Sequence, residues 1–196
     1  MNKFDVAELR ALMDALKDRQ GARGDLVAHC TAVLGSEGVL AVLGVLNRRT
    51  PYRFTALDRF DTACAQNVQL FDDNWAGPPA AVTGPLHESF TATVIQTRSP
   101  LCVRHATPSM NLAGLQARTT VQAYCGVPVR DRCGAVIGTL CHFDVEPRDV
   151  PDGEMSVLHL VSARVAAWFS ERPGHGWGEA IPTPREAYQL SAIVRT

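Results

Sequence analysis

The fold is decided by one stretch, Val121-Gln-Ala-Tyr-Cys-Gly-Val-Pro-Val-Arg-Asp-Arg-Cys-Gly-Ala-Val-Ile-Gly-Thr-Leu-Cys-His-Phe-Asp144. Small or apolar side chains occupy every second position on both sides of a polar centre, which is the period of a β-strand. The centre, Asp131-Arg-Cys-Gly134, places glycine where a three-residue loop needs a left-handed backbone; a two-residue loop at Arg132-Cys133 is the alternative. The stretch is therefore predicted to be a β-hairpin.

This hairpin resembles the last two strands of a GAF domain. The residues that carry the resemblance are Gly126-Val-Pro-Val129, Arg130-Asp131, Gly134 and Val136-Ile-Gly-Thr-Leu140, closed by Asp144. A second segment, residues 46–61, is similar to the helix end and first strand of bacterial GAF sensors. The resemblance covers about residues 25–170. It implies an α+β fold in which a GAF-like antiparallel β-sheet carries the terminal helices on one face and a pocket under connecting loops on the other.

Helical patterns flank the predicted sheet. A first amphipathic helix is predicted to end at Gly21-Ala-Arg-Gly24, and a second helical region runs from residue 25 to about 47 with a break at 35–38. A closing amphipathic helix is predicted from residue 151 to about 169. The predicted organisation is an N-terminal helix with a dimer contact at 1–24, a GAF domain at 25–170 and a Gly/Pro-rich tail at 171–196.

Further elements are predicted between these helices. Residues 52–61 alternate as a strand, with Tyr52, Phe54, Ala56 and Asp58 on one face. The other predictions are a partner strand at 66–71, a loop at 72–85, a short helix within 87–97 and a short strand at 100–105.

Composition excludes several classes of function. Nineteen Lys and Arg balance twenty Asp and Glu, and the longest basic run is Arg48-Arg49, so no nucleic-acid partner is expected. The longest apolar stretch, residues 39–46, is far shorter than the roughly 20 residues that cross a bilayer. No signal-peptide core opens the chain. We expect a cytoplasmic protein without a membrane partner, in which most of the six cysteines are reduced.

Two cysteines lie on the two strands of the hairpin. With a three-residue loop, Cys125 and Cys141 face each other with both sulfurs on one face, which would allow a redox pair. With a two-residue loop, Cys125 faces Leu140 instead. The favoured alternative to a redox pair is two buried thiols packed as small apolar side chains, because free cysteine is commonly buried. Cys133, in the turn, is predicted to be exposed.

Neither a metal site nor a catalytic residue is predicted. Alternation sends Cys141 to the face opposite His142 and Asp144, so these three ligand types cannot converge. Some free-standing GAF proteins reduce free methionine-R-sulfoxide with cysteine thiolates, but the corresponding segments here, 89–96 and 106–120, contain no cysteine. That departure argues against the activity, and the motifs identify no cofactor.

The resemblance implies a sensory or regulatory protein of signalling that binds an unidentified small molecule. The apolar stripes of the terminal helices favour a homodimer formed through them. Candidate ligand-binding residues come from the segments that line a GAF cavity: Phe71, His87, Phe90, Thr91, Val94, Cys125, Cys141 and Phe143. Two alternatives stay open. One is a thiol-based redox switch or reductase on the same fold, and the other is a protein-interaction scaffold that binds no ligand.

Overall fold

The structure is a computed structural model that describes residues 6–60, 64–74, 83–85, 89–108 and 116–172. Its helices are α1 (Val6–Ser36), α2 (Val39–Asn47), α3 (Phe90–Thr97) and α4 (Glu154–Ser170). Its strands are β1 (Phe54–Phe60), β2 (Cys64–Asp72), β3 (Thr83–Pro85), β4 (Leu101–Val103), β5 (Ala123–Arg130) and β6 (Val136–Asp144). A 3₁₀ turn at Gln116–Thr119 precedes β5.

Within the described residues, the strands form one antiparallel sheet in the order β3-β2-β1-β6-β5-β4. The predicted hairpin supplies β5 and β6, and β6 lies at the centre, paired with β1 on its other side. The predicted strand at 52–61 and its partner at 66–71 are β1 and β2, but β1 begins at Phe54. The α+β antiparallel fold is therefore confirmed. Tyr52 lies before β1 and packs on the face opposite Ala56, so its predicted face is wrong.

The hairpin turn has the predicted three-residue form. The Asp131 amide donates to the Ala135 carbonyl at 2.9 Å, and Gly134 takes the left-handed conformation with φ of 81°. A β-bulge between Val129 and Arg130 then shifts the register by one residue. An extra residue in one strand changes which side chains meet across the pair.

The bulge makes the predicted pairing of Cys125 with Cys141 wrong. Cys125 lies opposite His142, and Cys141 lies opposite Gly126. Because neighbouring residues of a strand point to opposite faces, the two thiols are on different faces of the sheet. They cannot form a redox pair with each other.

The two faces of the sheet are covered by different helices. On one face, α1, α2 and α4 pack on a core that includes Leu57, Val127 and Leu140. On the other face, α3 packs on Ala56, Tyr124 and Cys141. The terminal helices thus share one face, as predicted.

Helix α1 is longer than predicted. It runs without a break through Gly21 and Gly24, although each glycine costs a helix about 1 kcal/mol relative to alanine. Strong helix formers surround these glycines, and the C-terminal half of α1 is anchored in the core by Cys30 and Leu34. The predicted break at 35–38 is confirmed: α1 ends at Ser36, and Gly38, with φ of 84°, precedes α2.

Other predictions fall partly outside the described residues. These include most of the loop at 72–85, the side chain of His87 and the tail after residue 172. The division into segments at 24 and 170 stays a prediction. In the part of the chain that the structure describes, no helix has the length and apolar character needed to cross a membrane.

Candidate ligand site between the sheet and helix α3

Helix α3 begins and ends at clear local signals. The Ser89 side chain accepts a hydrogen bond from the Ala92 amide at 3.3 Å, which caps the helix N-terminus. Arg98 adopts a left-handed conformation with φ of 52° and ends the helix. Between these ends, the helix presents Phe90, Thr91 and Val94 to the sheet, all buried. The short helix therefore forms one wall of a buried region whose other wall is the sheet.

A buried carboxylate lies at the centre of this region. Asp58 of β1 is 7% exposed, and its Oδ2 accepts hydrogen bonds from Thr91 Oγ1 at 2.9 Å and Thr139 Oγ1 at 3.2 Å. Cys141 Sγ lies 3.7 Å from the same oxygen. These contacts join α3 to β1 and β6 through polar groups rather than through apolar packing. A buried carboxylate requires such donors, because an unpaired one would be expensive to remove from water.

Tyr124 completes the group. Its ring stacks on Phe90 with centroids 5.1 Å apart and an angle of 18° between the planes. Its hydroxyl is buried and forms no hydrogen bond of good geometry with the described residues, although the Thr91 and Thr139 hydroxyls lie close to it. We call Asp58, Thr91, Tyr124, Thr139 and Cys141 the Asp58 cluster.

The Asp58 cluster keeps its thiol and phenol protonated. Burial raises the pKa of the Cys141 thiol well above its usual range, and the charge of Asp58 adds to the effect. Burial likewise raises the pKa of Tyr124, with smaller contributions from Cys141 and Asp58, while the nearby Thr139 and Thr91 hydroxyls oppose the rise. A protonated thiol is a poor nucleophile. The cluster is therefore suited to hydrogen bonding and not to thiolate chemistry.

Five of the eight candidate residues lie on the α3 face of the sheet: Phe90, Thr91, Val94, Cys141 and Phe143. Phe143 stacks on Phe54 with ring centroids 4.7 Å apart. The structure brings these five residues to one face of the sheet. Whether they bind a ligand stays a prediction.

Two candidates lie on the opposite face, and one falls outside the described residues. Phe71 packs against α2, where its ring would touch a Cβ placed at Gly44. Cys125 packs in the same core, and its Sγ lies 2.9 Å from Met155 Sδ on α4. His87 is not described. The structure thus separates Phe71 and Cys125 from the Asp58 cluster.

Sequence reasoning missed Asp58, Tyr124 and Thr139 as members of the site. One signal for Asp58 was present, because an acidic residue interrupts an otherwise apolar alternation in β1. Tyr124 and Thr139 carried no signal of their own. Their placement follows from the register between β5, β6 and β1, in which Asp58 lies opposite Thr139.

The polar residues near the end of the hairpin have structural roles. His142 and Asp144 face the terminal helices and not α3, as alternation predicts. Asp144 accepts from the Arg53 amide at 3.0 Å and from Arg148 Nε at 2.8 Å. Among the described residues, His, Cys, Asp and Glu side chains form no group of three or more that could hold a metal ion.

Solved structures with this fold come from several kinds of protein. The GAF domain of an Acinetobacter phosphoenolpyruvate-protein phosphotransferase matches with a TM-score of 0.61 at 14% identity, covering 76% of this chain and 94% of that one. A putative GAF sensor protein from Burkholderia vietnamiensis matches with a TM-score of 0.58 at 16% identity, covering 85% and 96%. A free methionine-R-sulfoxide reductase from Neisseria meningitidis, solved with its substrate, matches with a TM-score of 0.58 at 11% identity, covering 86% and 91%.

These likenesses establish the fold alone, because every identity is low. A search of curated protein sequences returned no significant match. The family model for the GAF domain matches residues 25–167, which is most of the chain and includes every strand and helix α3. The match agrees with the antiparallel sheet, its strand order and the helices on its two faces. This chain therefore belongs to the GAF domain family.

Proposed function

We propose that the protein is a sensor that binds a small molecule at the Asp58 cluster, between the sheet and helix α3. The GAF fold is used in signalling sensors, and a putative sensor protein is among the similar structures. Low identity leaves the ligand to be argued from the side chains themselves. The cluster combines buried polar groups with aromatic and aliphatic walls, which is the usual chemistry of a small-molecule site.

One observation carries this proposal: the buried Tyr124 hydroxyl forms no hydrogen bond of good geometry with the described residues. Leaving such a group unpaired costs about 1–3 kcal/mol. A ligand that supplies a hydrogen-bonding atom would recover that free energy, so binding would be favoured at this position. The free energy that the unpaired hydroxyl costs the unliganded protein would thus be offset when a ligand binds.

The Asp58 cluster also indicates a ligand with one polar end and one apolar end. The molecule would place a polar atom against the Tyr124 hydroxyl and an apolar part against Phe90 and Val94, which are almost completely buried. To enter, it would separate α3 from the sheet. Helix α3 has only eight residues, so we expect its displacement to be small. Ligand binding would shift the population from the position of α3 against the sheet to the displaced position.

The output of such a sensor would be a homodimer formed through the terminal helices. Met13 and Leu16, three residues apart on α1, are 51% and 52% exposed, and Leu160 on α4 is 45% exposed. Every residue from 13 to 22 is exposed. Isolated helical segments of this length are only marginally stable in water, so a second copy of the chain would stabilise this part of α1.

The ligand proposal is tested by a thermal-shift screen of the purified protein against nucleotides, amino acids, organic acids and haem. We expect at least one compound to raise the melting temperature in a dose-dependent way, since a ligand that binds only the native state stabilises it. The Tyr124→Phe variant should bind that compound about fivefold more weakly, because it lacks one hydrogen-bonding group worth about 1 kcal/mol.

Tyr52→Phe is the matched control. Tyr52 also has a buried hydroxyl without a partner among the described residues, but it packs on the opposite face of the sheet. Removal of that hydroxyl should leave ligand affinity unchanged. A screen without any hit, or a hit that Tyr52→Phe weakens and Tyr124→Phe does not, would refute the proposed site.

A further inference from the structure

A second pair of cysteines is brought together by the sheet, at a position that the ligand site does not use. Cys102 of β4 lies directly opposite Cys125 of β5. Directly opposite residues of antiparallel strands have Cα atoms about 4.5–5.5 Å apart. A disulfide accepts Cα separations of about 4.4–6.8 Å. The register therefore satisfies the backbone requirement for a disulfide without moving either strand.

Both thiols are on the same face of the sheet. Leu101 and Val103, the neighbours of Cys102, pack with the cluster on the α3 face. Alternation then directs Cys102 to the face of the terminal helices, where Cys125 also lies. Burial is the main cause that raises the pKa of the Tyr52 phenol, and the charged forms of Cys125 and Cys102 both add to it. The two sulfurs therefore lie near the same phenol.

The two thiols differ in access to solvent. Cys102 is exposed, because β4 is the edge strand of the sheet, whereas Cys125 is fully buried. Burial raises the pKa of Cys102, and the Arg104 guanidinium offsets only part of that rise. Burial raises the pKa of Cys125 to about 12. An oxidant would thus meet Cys102 first, and Cys125 would react only with a partner already beside it.

We propose that Cys102 and Cys125 are a redox-sensitive pair, which a hydroperoxide converts to a disulfide between β4 and β5. In the first step the Cys102 sulfur attacks the hydroperoxide, the O–O bond breaks, and Cys102 becomes a sulfenic acid while the corresponding alcohol leaves (water, for hydrogen peroxide). In the second step the Cys125 sulfur attacks the sulfenic sulfur. The S–S bond forms, the S–O bond breaks, and the hydroxyl leaves as water with the Cys125 proton. The two thiols lose two electrons, and the hydroperoxide gains them.

Disulfide formation would change a contact with the terminal helices. In the reduced protein, Cys125 Sγ lies 2.9 Å from Met155 Sδ in the first turn of α4. A bond to Cys102 would turn this sulfur toward β4 and away from Met155. Oxidation would therefore loosen one contact between the sheet and α4, while it fixes the edge strand.

Trypsin separates the two cysteines from the other four. Cleavage after Arg98, Arg104, Arg118 and Arg130 places Cys102 alone in peptide 99–104 and Cys125 alone in peptide 119–130. The native full-length chain is treated with hydrogen peroxide, blocked with N-ethylmaleimide, digested and analysed by mass spectrometry without reduction. We expect the two peptides to appear as one linked species that dithiothreitol separates.

Serine variants distinguish this pair from other oxidation. Cys102→Ser changes an exposed side chain and should abolish the linked species without loss of fold. Cys133→Ser, in the exposed turn, should leave it intact. Recovery of both peptides as separate maleimide adducts, linkage of either peptide to another cysteine, or a disulfide-linked dimer in its place would overturn the proposal.

Discussion

Glycine is required at position 126 because Tyr124, two residues earlier in β5, occupies the space that a side chain would need. The backbone conformation of Gly126 does not itself require glycine. A Cβ at this position would lie only 2.7 Å from two ring carbons of Tyr124. Gly126 is not among the described glycines with positive φ, so any residue could adopt its backbone conformation. The glycine of the Gly-Val-Pro-Val motif therefore makes space for the Tyr124 ring, which lies along β5 and stacks on Phe90.

We expect Gly126→Ala to destabilise the protein by about 1–3 kcal/mol, the usual cost of adding a carbon to a filled core. The variant should also displace the Tyr124 ring. The free energy of unfolding is measured by urea denaturation at neutral pH. Gly24→Ala in α1, where nothing lies within 4 Å of the new Cβ, is the control and should stabilise the helix by up to about 1 kcal/mol. Equal effects of the two changes would contradict the proposed packing.

For individual residues, the sequence predicted part of the candidate site. Phe90, Thr91, Val94 and Cys141 were placed near the pocket from their segments, and they do meet on one face. Cys125 was placed with them because its segment also lines a GAF cavity, and a three-residue loop alone would have put it on the same face as Cys141. The bulge at Val129 and Arg130 moved it to the other face, and no residue in the sequence marks that bulge.

The elements are joined by a buried polar network as well as by apolar packing. His142 of β6 is fully buried, with its Nδ1 at 2.7 Å from Thr55 Oγ1 of β1. Its Nε2 lies 3.4 Å from Glu154 Oε1, and Glu154 Oε2 lies 3.4 Å from Arg49 Nη2. Asn47 donates to Thr55 Oγ1 at 2.9 Å. The network thus links α2, the centre of the sheet and the first residue of α4, where a helix N-terminus favours a carboxylate.

Loss of the Glu154 side chain should separate α4 from the sheet. We expect Glu154→Ala to lower the free energy of unfolding by about 1–3 kcal/mol, because it leaves the buried Nε2 atom of His142 without a hydrogen-bond partner and removes the carboxylate that pairs with Arg49. Urea denaturation monitored by circular dichroism measures the change. Glu146→Ala removes a 65% exposed carboxylate that pairs with Arg148, and it should cost less than about 1 kcal/mol. If the two variants lost similar stability, the network would not hold α4.

The order of strands and helices could be predicted from the sequence, because the spacing of apolar residues and the turn-forming residues determine structure within each segment. The continuity of α1 did not follow. Two glycines within four residues favour a break, but packing of Val27 and Leu34 in the core stabilises the helix across them. The His142 network could not be predicted either, since Asn47 and Thr55 are far in sequence from His142 and Glu154, and the two pairs meet only after the sheet has formed.

For the molecule as a whole, the sheet separates two environments. The face of α3 holds the Asp58 cluster, and the face of the terminal helices holds the larger apolar core. Any signal from a ligand at α3 would have to cross the sheet to reach α4. The central strand β6 contributes alternate residues to both sides, with Cys141 facing α3 and His142 facing Glu154. This strand is the direct physical connection between the proposed ligand site and the proposed dimer helices.

The dimer proposal makes the last prediction. We expect the wild-type protein to sediment as a dimer at micromolar concentration, and the double variant Met13→Glu with Leu16→Glu to weaken the dimer about a hundredfold. Each buried side chain of this size contributes about 1.5–3 kcal/mol, and a charge at these positions would also be costly to bury. Sedimentation equilibrium measures the dissociation constant. Ala22→Glu adds a charge nine residues after Met13, on the opposite side of α1, and should change the dissociation constant little. A monomeric wild type, or a double variant that dimerises as tightly, would show that this surface has another role.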